Sequence, residues 1–373
     1  MSYAQATAAE ARPPKKTVLV TGAGGFIGFA VSKAFARAGW DVYGLVRRAD
    51  AAESLLAEEI TPVVGAISAD LAFADDLLAR ASTRPFDVVV SCTEHVPFHE
   101  HWEHVLALLI KVACHARERG AAKPLVLMSS GCKDYGETAH HGEAGLQPHT
   151  EDSPLRPPEI ITARTACTLK VFEHADLFDA AVLRPTPLYG YAGSYYGVIL
   201  EALRQSSSDE TKRDGNPLNV PGHPDTIYHG CHIDDCADAY VALAAHPVRA
   251  EVNGECFNIS AHRYETVSDI AAALSAEYGI RGGIALTPLA EVKRPELRVL
   301  DPVLGFTQWV DSTKIRKLTG WTDRKPLFSE NLPVYRRAYD AAARAGDAGV
   351  ARIRDRVAGW SASDFKIGED ESK

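Results

Sequence analysis

Short β-branched apolar runs alternate with segments of helical period along the first half of the chain. Thr17–Thr21, Asp41–Val46, Thr61–Val64, Asp87–Cys92, Leu125–Ser129 and Ala180–Arg184 read as strands. In the intervals, apolar positions recur at the spacing of one helix face over Phe26–Ala38, Ala52–Glu59, Phe73–Ala81 and Trp102–Arg119. Parallel strands need a long crossover, and a helix supplies it, so this rhythm predicts βαβ units. The expected fold class is α/β, a doubly wound parallel sheet whose ligands sit at the carboxyl ends of the strands.

After residue 185 the rhythm fails. Residues 186–345 are richer in Pro, Gly, His and Tyr, and helices are predicted there only at Asp234–Ala245, Thr266–Tyr278 and about Asn331–Ala345. Such a shift predicts a smaller C-terminal α/β substrate lobe over the carboxyl edge of the sheet, with the chain crossing back to the first domain. The expected division is a flexible leader at 1–16, a sheet domain at 17–185, the substrate lobe at 186–345 and a C-terminal tail at 346–373.

Composition narrows the function classes. With 40 Lys+Arg against 49 Asp+Glu the formal charge is −9, so the overall field repels nucleic acid and anionic membranes. The Cys count of 7 is odd and no Cys-x-x-Cys pair occurs, which reads as reduced thiols and not as a disulfide framework or a metal site. The leader lacks the apolar core of a secretory signal, and no run of about 18 apolar residues occurs. A cytoplasmic protein acting on a small molecule is expected.

The most informative segment is Val18-Leu19-Val20-Thr21-Gly22-Ala23-Gly24-Gly25-Phe26-Ile27-Gly28. Gly22, Gly25 and Gly28 follow a strand and open a helix, with Phe26 and Ile27 in its first turn. That context suits a dinucleotide: a tight turn, close approach to a pyrophosphate, and a helix N-terminus offering unpaired N–H groups. At the end of the second strand stand Arg47 and Arg48, with no carboxylate before Asp50. Arginine there fits a 2′-phosphate, so NADP(H) is favoured over NAD(H), although the same pair would also solvate a strand end. Asp70 and Leu71 suit the adenine, and Cys92 and Thr93 close the fourth strand on the cofactor side.

These residues resemble the extended short-chain dehydrogenase/reductases, the NAD(P)-dependent epimerase/dehydratase superfamily. The resemblance rests on the glycine turn, Asp70-Leu71, Met128-Ser129-Ser130 with Asp134-Tyr135-Gly136, and Leu183-Arg184-Pro185 leading to Leu188-Tyr189-Gly190. It continues through His232-Ile233-Asp234-Asp235, Phe257-Asn258-Ile259 and Leu318-Thr319-Gly320-Trp321. It implies a Rossmann-like fold, a homodimer packed through the fourth and fifth helices, and chemistry by a tyrosine four residues before a lysine. The Ala107–Ala116 stripe could serve that dimer or pack on the sheet.

The chain departs from this pattern, because no lysine has a tyrosine four positions earlier. Two registers stand for the family lysine: Lys170, opposite Ala166, or Arg164, opposite Ile160; spacing back from Arg184 favours Arg164. In either, the basic residue would hold the nicotinamide ribose. Ser130 either orients a substrate oxygen or caps local backbone. Substitutes for the lost acid are sought in Glu94-His95-Val96-Pro97-Phe98-His99-Glu100-His101-Trp102-Glu103-His104, where Glu94 and His95 lie nearest the strand end. A polar loop leading into a solvated helix is the other reading, and the spacing does not fit a metal-binding helix. Tyr195 and Tyr196 read as packing or as phenols on a glycine-flanked loop.

The leading expectation is an NADP(H)-dependent reductase or dehydrogenase for a small carbonyl or alcohol, with a nonstandard proton donor. Two alternatives keep the fold: a lyase, isomerase or epimerase whose cofactor is structural or recycled, and a non-catalytic NADP(H) sensor.

Overall fold

Thr17-Val-Leu-Val-Thr21 is wholly buried, and this run forms the central strand β1 of a parallel sheet. A computed structural model describes residues 15–81, 84–207 and 215–362. The leader's first fourteen residues and the tail beyond residue 362 lie outside the described residues. Further strands are β2 (Asp41–Val46), β3 (Thr61–Val64), β4 (Val88–Ser91), β5 (Leu125–Ser129), β6 (Asp179–Pro185) and β7 (Glu255–Ile259). Their spatial order is β7-β6-β5-β4-β1-β2-β3, and every neighbouring pair is parallel. The winding reverses between β1 and β4, the switch point where doubly wound sheets open a crevice. The α/β doubly wound expectation holds.

Alternation along β1 sorts the core into two layers. Val18 and Val20 face α1 (Phe26–Arg37), whereas Leu19 faces the side of α2 (Ala74–Arg80) and α3 (Phe98–Glu118). With both faces covered, the strands read as continuous apolar runs. α4 (Glu159–Leu169) lies beside α3, and the long helix α6 (Ile233–Ala245) covers the α1 face after α5 (Ser194–Ser206).

Helix α3 begins at Phe98, earlier than expected from periodicity, with Pro97 at its N-cap. His99, His101 and His104 therefore lie on a helix and not in a loop. Trp102, Val105, Leu108, Leu109, Val112, Ala113 and Ala116 bury against the sheet. The stripe considered for a dimer is thus used internally, which leaves Ala107 and Ile110 exposed.

A second core gathers α5, the helix Val267–Tyr278, Leu332–Arg344 and the last described helix, Ala348–Ala362. This last helix lies where a tail was expected. Its Val350, Ile353 and Val357 are buried. Short ladders join Leu218–Pro221 to Ile284–Thr287 and Leu188–Tyr189 to Cys231–His232. Between these elements the chain returns to the main sheet as β7, pairing with β6. No described helix is long and apolar enough to cross a membrane.

Candidate functional site

The turn after β1 leads directly into α1, and Gly25 N–H donates to the Gly22 carbonyl at 2.8 Å. A Cβ on Gly28 would stand 2.2 Å from the Gly22 oxygen, so the first turn of α1 sits closer to the loop than any side chain permits. No side chain caps α1 at Gly25, which leaves its leading N–H groups available to an anion at the carboxyl edge. Phe26 and Ile27 are half-buried there. The backbone of Gly193, entering α5, rests on the Phe26 ring: a Cβ would fall 2.1 Å from Cδ2. The residues present fit a dinucleotide.

Arg47 and Arg48 are exposed beyond β2, and Arg48 Nε lies 2.9 Å from Asp50 Oδ1. Asp70 is exposed too. A hydrogen bond from Ser68 Oγ at 2.8 Å helps to hold its carboxyl below the usual range. Leu71, expected beside it at the adenine, is instead buried in the core.

Past β4, Cys92 Sγ lies 3.3 Å from Ser129 Oγ, and burial pushes its thiol up to about 12, so it is no nucleophile at neutral pH. Thr93 Oγ1 is 3.1 Å from His101 Nε2, and burial lowers that imidazole toward its neutral form. His95 is exposed, its ring 6.3 Å from that of His101. Glu94 is also exposed but reaches inward, Oε1 standing 3.5 Å from Arg164 Nη1.

Beyond β5 the polar centre is Asp134, whose side chain is 1% exposed. It accepts from Ser130 Oγ at 2.5 Å, Thr165 Oγ1 at 2.7 Å, Arg164 Nη2 at 2.6 Å and Arg184 Nε at 3.4 Å. Because the Ser130 proton is committed to Asp134, Ser130 faces a ligand only as an acceptor. Arg164 lies over Gly131, whose Cβ position is 3.7 Å from Nη2. Lys170 ends α4, six residues or about 9 Å along the axis, on the way to the amino end of β6. Of the two candidate basic residues, Arg164 is the one the fold brings to the site. Ile160, one turn before it, is 81% exposed.

Sequence reasoning did not single out Lys133. Its Nζ lies 4.5 Å from the ring centre of Phe306 and 5.2 Å from that of Tyr195. Gln308 fixes the turn beneath it, donating from Nε2 to the carbonyls of Cys132 and Gly136 at 2.7 Å each. The only sequence signal was its place between Ser130 and Asp134. Tyr195 is partly exposed, while Tyr196 packs in the second core at 1% exposure. Among the described residues no cluster of His, Cys, Asp or Glu is arranged to hold a metal.

Residues 18–260 match the NAD dependent epimerase/dehydratase family. The chain belongs to that family. Solved structures with the same fold include dTDP-glucose 4,6-dehydratase from Bacillus anthracis str. Ames in complex with NAD, at 16% identity and a TM-score of 0.63, covering 88% of this chain and 98% of that one. Another is UDP-glucuronic acid 4-epimerase from Bacillus cereus in complex with NAD, at 17% identity and 0.62, covering 87% and 99%. A third is UDP-glucose 4-epimerase from Thermus thermophilus complexed with NAD, at 16% identity and 0.59, also covering 87% and 99%. No curated protein matches the sequence.

These findings correct the cofactor expectation. The family is described by NAD, as are the three complexes, and the NADP(H)-dependent reductase reading falls with the expectation. Physically, the charge taken for a 2′-phosphate site is partly compensated, since Arg48 pairs with Asp50.

Proposed function

We propose that this protein is an NAD(H)-dependent epimerase- or dehydratase-type enzyme that oxidises a secondary alcohol of a nucleotide-activated sugar and returns the electrons within one turnover. The carrying observation is the turn at Gly22–Gly28, closed too tightly for a side chain and set at the switch point of the family's sheet. The substrate class follows the dTDP- and UDP-sugars named for the structures of like fold.

In this reading the turn and the first N–H groups of α1 hold the pyrophosphate. Asp70, Cys92 and Thr93 border the dinucleotide. Arg164, steadied by Asp134 and Glu94, holds the nicotinamide ribose. When bound, the cofactor supplies a reversible acceptor for the substrate's hydride. Ser130, its own proton held by Asp134, accepts a hydrogen bond from a substrate hydroxyl next to the reacting one and so orients the sugar. Without a tyrosine before a lysine in the usual register, another group carries the proton. The expected homodimer would use the outer face of α3 at Ala107 and Ile110, and a single-chain mass in light scattering would exclude it.

The deciding experiment incubates the full chain and NAD with UDP- and dTDP-hexoses and follows products by NMR. New sugar signals without net change in nicotinamide absorbance are expected. Stoichiometric conversion of NAD to NADH would replace this reading with a net dehydrogenase.

A further inference from the structure

We propose that Lys133 is the proton carrier of this site, its Nζ contacting the reacting hydroxyl oxygen of the substrate. The amine stands at the carboxyl edge of the sheet, three residues beyond Ser130 and on the turn that contains Asp134. It is half-buried, and among the described residues it has no hydrogen bond or close ion pair. Both surfaces that contain it are aromatic and belong to the second lobe: Tyr195 from α5 and Phe306 from the segment carrying Gln308. A surface lysine extends into water or finds an acceptor; this one is held between the lobes, where a substrate must lie.

The surroundings bring the titration of this amine closer to neutrality than that of a solvated lysine. Burial and the Arg164 guanidinium on α4 pull it down to about 8, against a smaller opposing pull from Glu137 on the following loop. Tyr195 and Phe306 contribute only ring faces to its surroundings. Asp134 on the same turn is already shared by two arginines, Ser130 and Thr165. A base titrating near neutrality is matched to moving a proton in both directions.

The step balances as follows. Nζ takes the hydroxyl proton and becomes ammonium, while the carbinol C–H bond breaks and its electron pair leaves with the hydrogen to bound NAD. The alcohol becomes a ketone and the dinucleotide is reduced. Return of the proton from Nζ and of the hydride restores both.

The proposal rests on the functional reading above, and its first test needs no substrate. Competitive acetylation of the full chain by acetic anhydride across pH, read by mass spectrometry on the peptide containing Lys133, should give a midpoint near pH 8. A midpoint at the ordinary value of 10.5 overturns the proposal. K133M and K133R should each lose at least about 100-fold in sugar turnover while binding NAD as the wild type does in calorimetry. Turnover within about tenfold of wild type in K133M overturns it as well. A wild-type chain that converts no sugar counts against the functional reading, whereas an ordinary midpoint counts against Lys133, so the two failures are distinguishable.

Discussion

Asp134 gathers donors from the turn after β5, from α4 and from β6, and its removal should be felt across all of them. In D134N the arginine Arg184, only 2% exposed, loses its anionic neighbour and keeps the Tyr135 hydroxyl at 3.0 Å. Stranding a buried charge costs about 3–5 kcal/mol, so denaturant unfolding should show a loss of that order. S130A removes one donor among several and should cost about 1 kcal/mol. G28A should impair NAD binding at least about tenfold, since its Cβ meets backbone and not a movable side chain, and calorimetry checks this. Ser130 and Glu94 were legible as candidates because they follow the ends of β5 and β4, and Arg164, inside α4, because of its spacing back from Arg184. Asp134 and Lys133 were not, because their roles depend on burial and on aromatic rings distant in sequence.

At the scale of elements, β1, β2, β3 and β5 stand where the apolar runs place them. β7 escaped notice because it follows a long excursion and has a single short run, Phe257-Asn258-Ile259, at its core. α5 was hidden by Gly193 and Gly197, which read as loop residues until the packing against Phe26 and Ile353 is known. The loop before Cys231–His232 makes a pH prediction. His229 Nε2 lies 3.0 Å from the Ala261 carbonyl, and Nδ1 accepts from Val310 N–H at 3.2 Å, so the ring is neutral. Burial lowers it to about 4, with Arg316 adding to this and Asp323 opposing. The unfolded chain binds this proton first. The stability His229 contributes is therefore complete above about pH 6.5 and is lost as pH falls toward 4. H229Q should flatten the stability profile across that window; an unchanged slope in urea titrations at pH 7, 6 and 5 contradicts it.

For the whole molecule, the second lobe is tied to the first by more than a linker. β7 returns into the main sheet, and Gln308 grips the turn after β5. Inside the second core, Glu201 accepts from Arg204, Gln205 and the Tyr339 hydroxyl, and Arg354 from the last helix lies 3.5 Å away. Burial alone would raise this carboxyl; the bonds from Arg204 and Gln205 help bring it below the usual range. Ile353 packs where Gly197 leaves no side chain. I353A should therefore cost about 2–4 kcal/mol. Calorimetry should show one shifted transition; two separated transitions would mean that the lobes unfold independently.

The seating of Gly193 on Phe26 bears on residence time. The contact sets the entrance to α5 on the first turn of α1, beside the glycine turn, so the second lobe is expected to slow the departure of an occupant. An enzyme that exchanges its nucleotide every cycle would be slowed by such an arrangement. One that regenerates the nucleotide in place loses nothing by it, and slow release would keep a keto-sugar and its electron carrier together until the cycle closes.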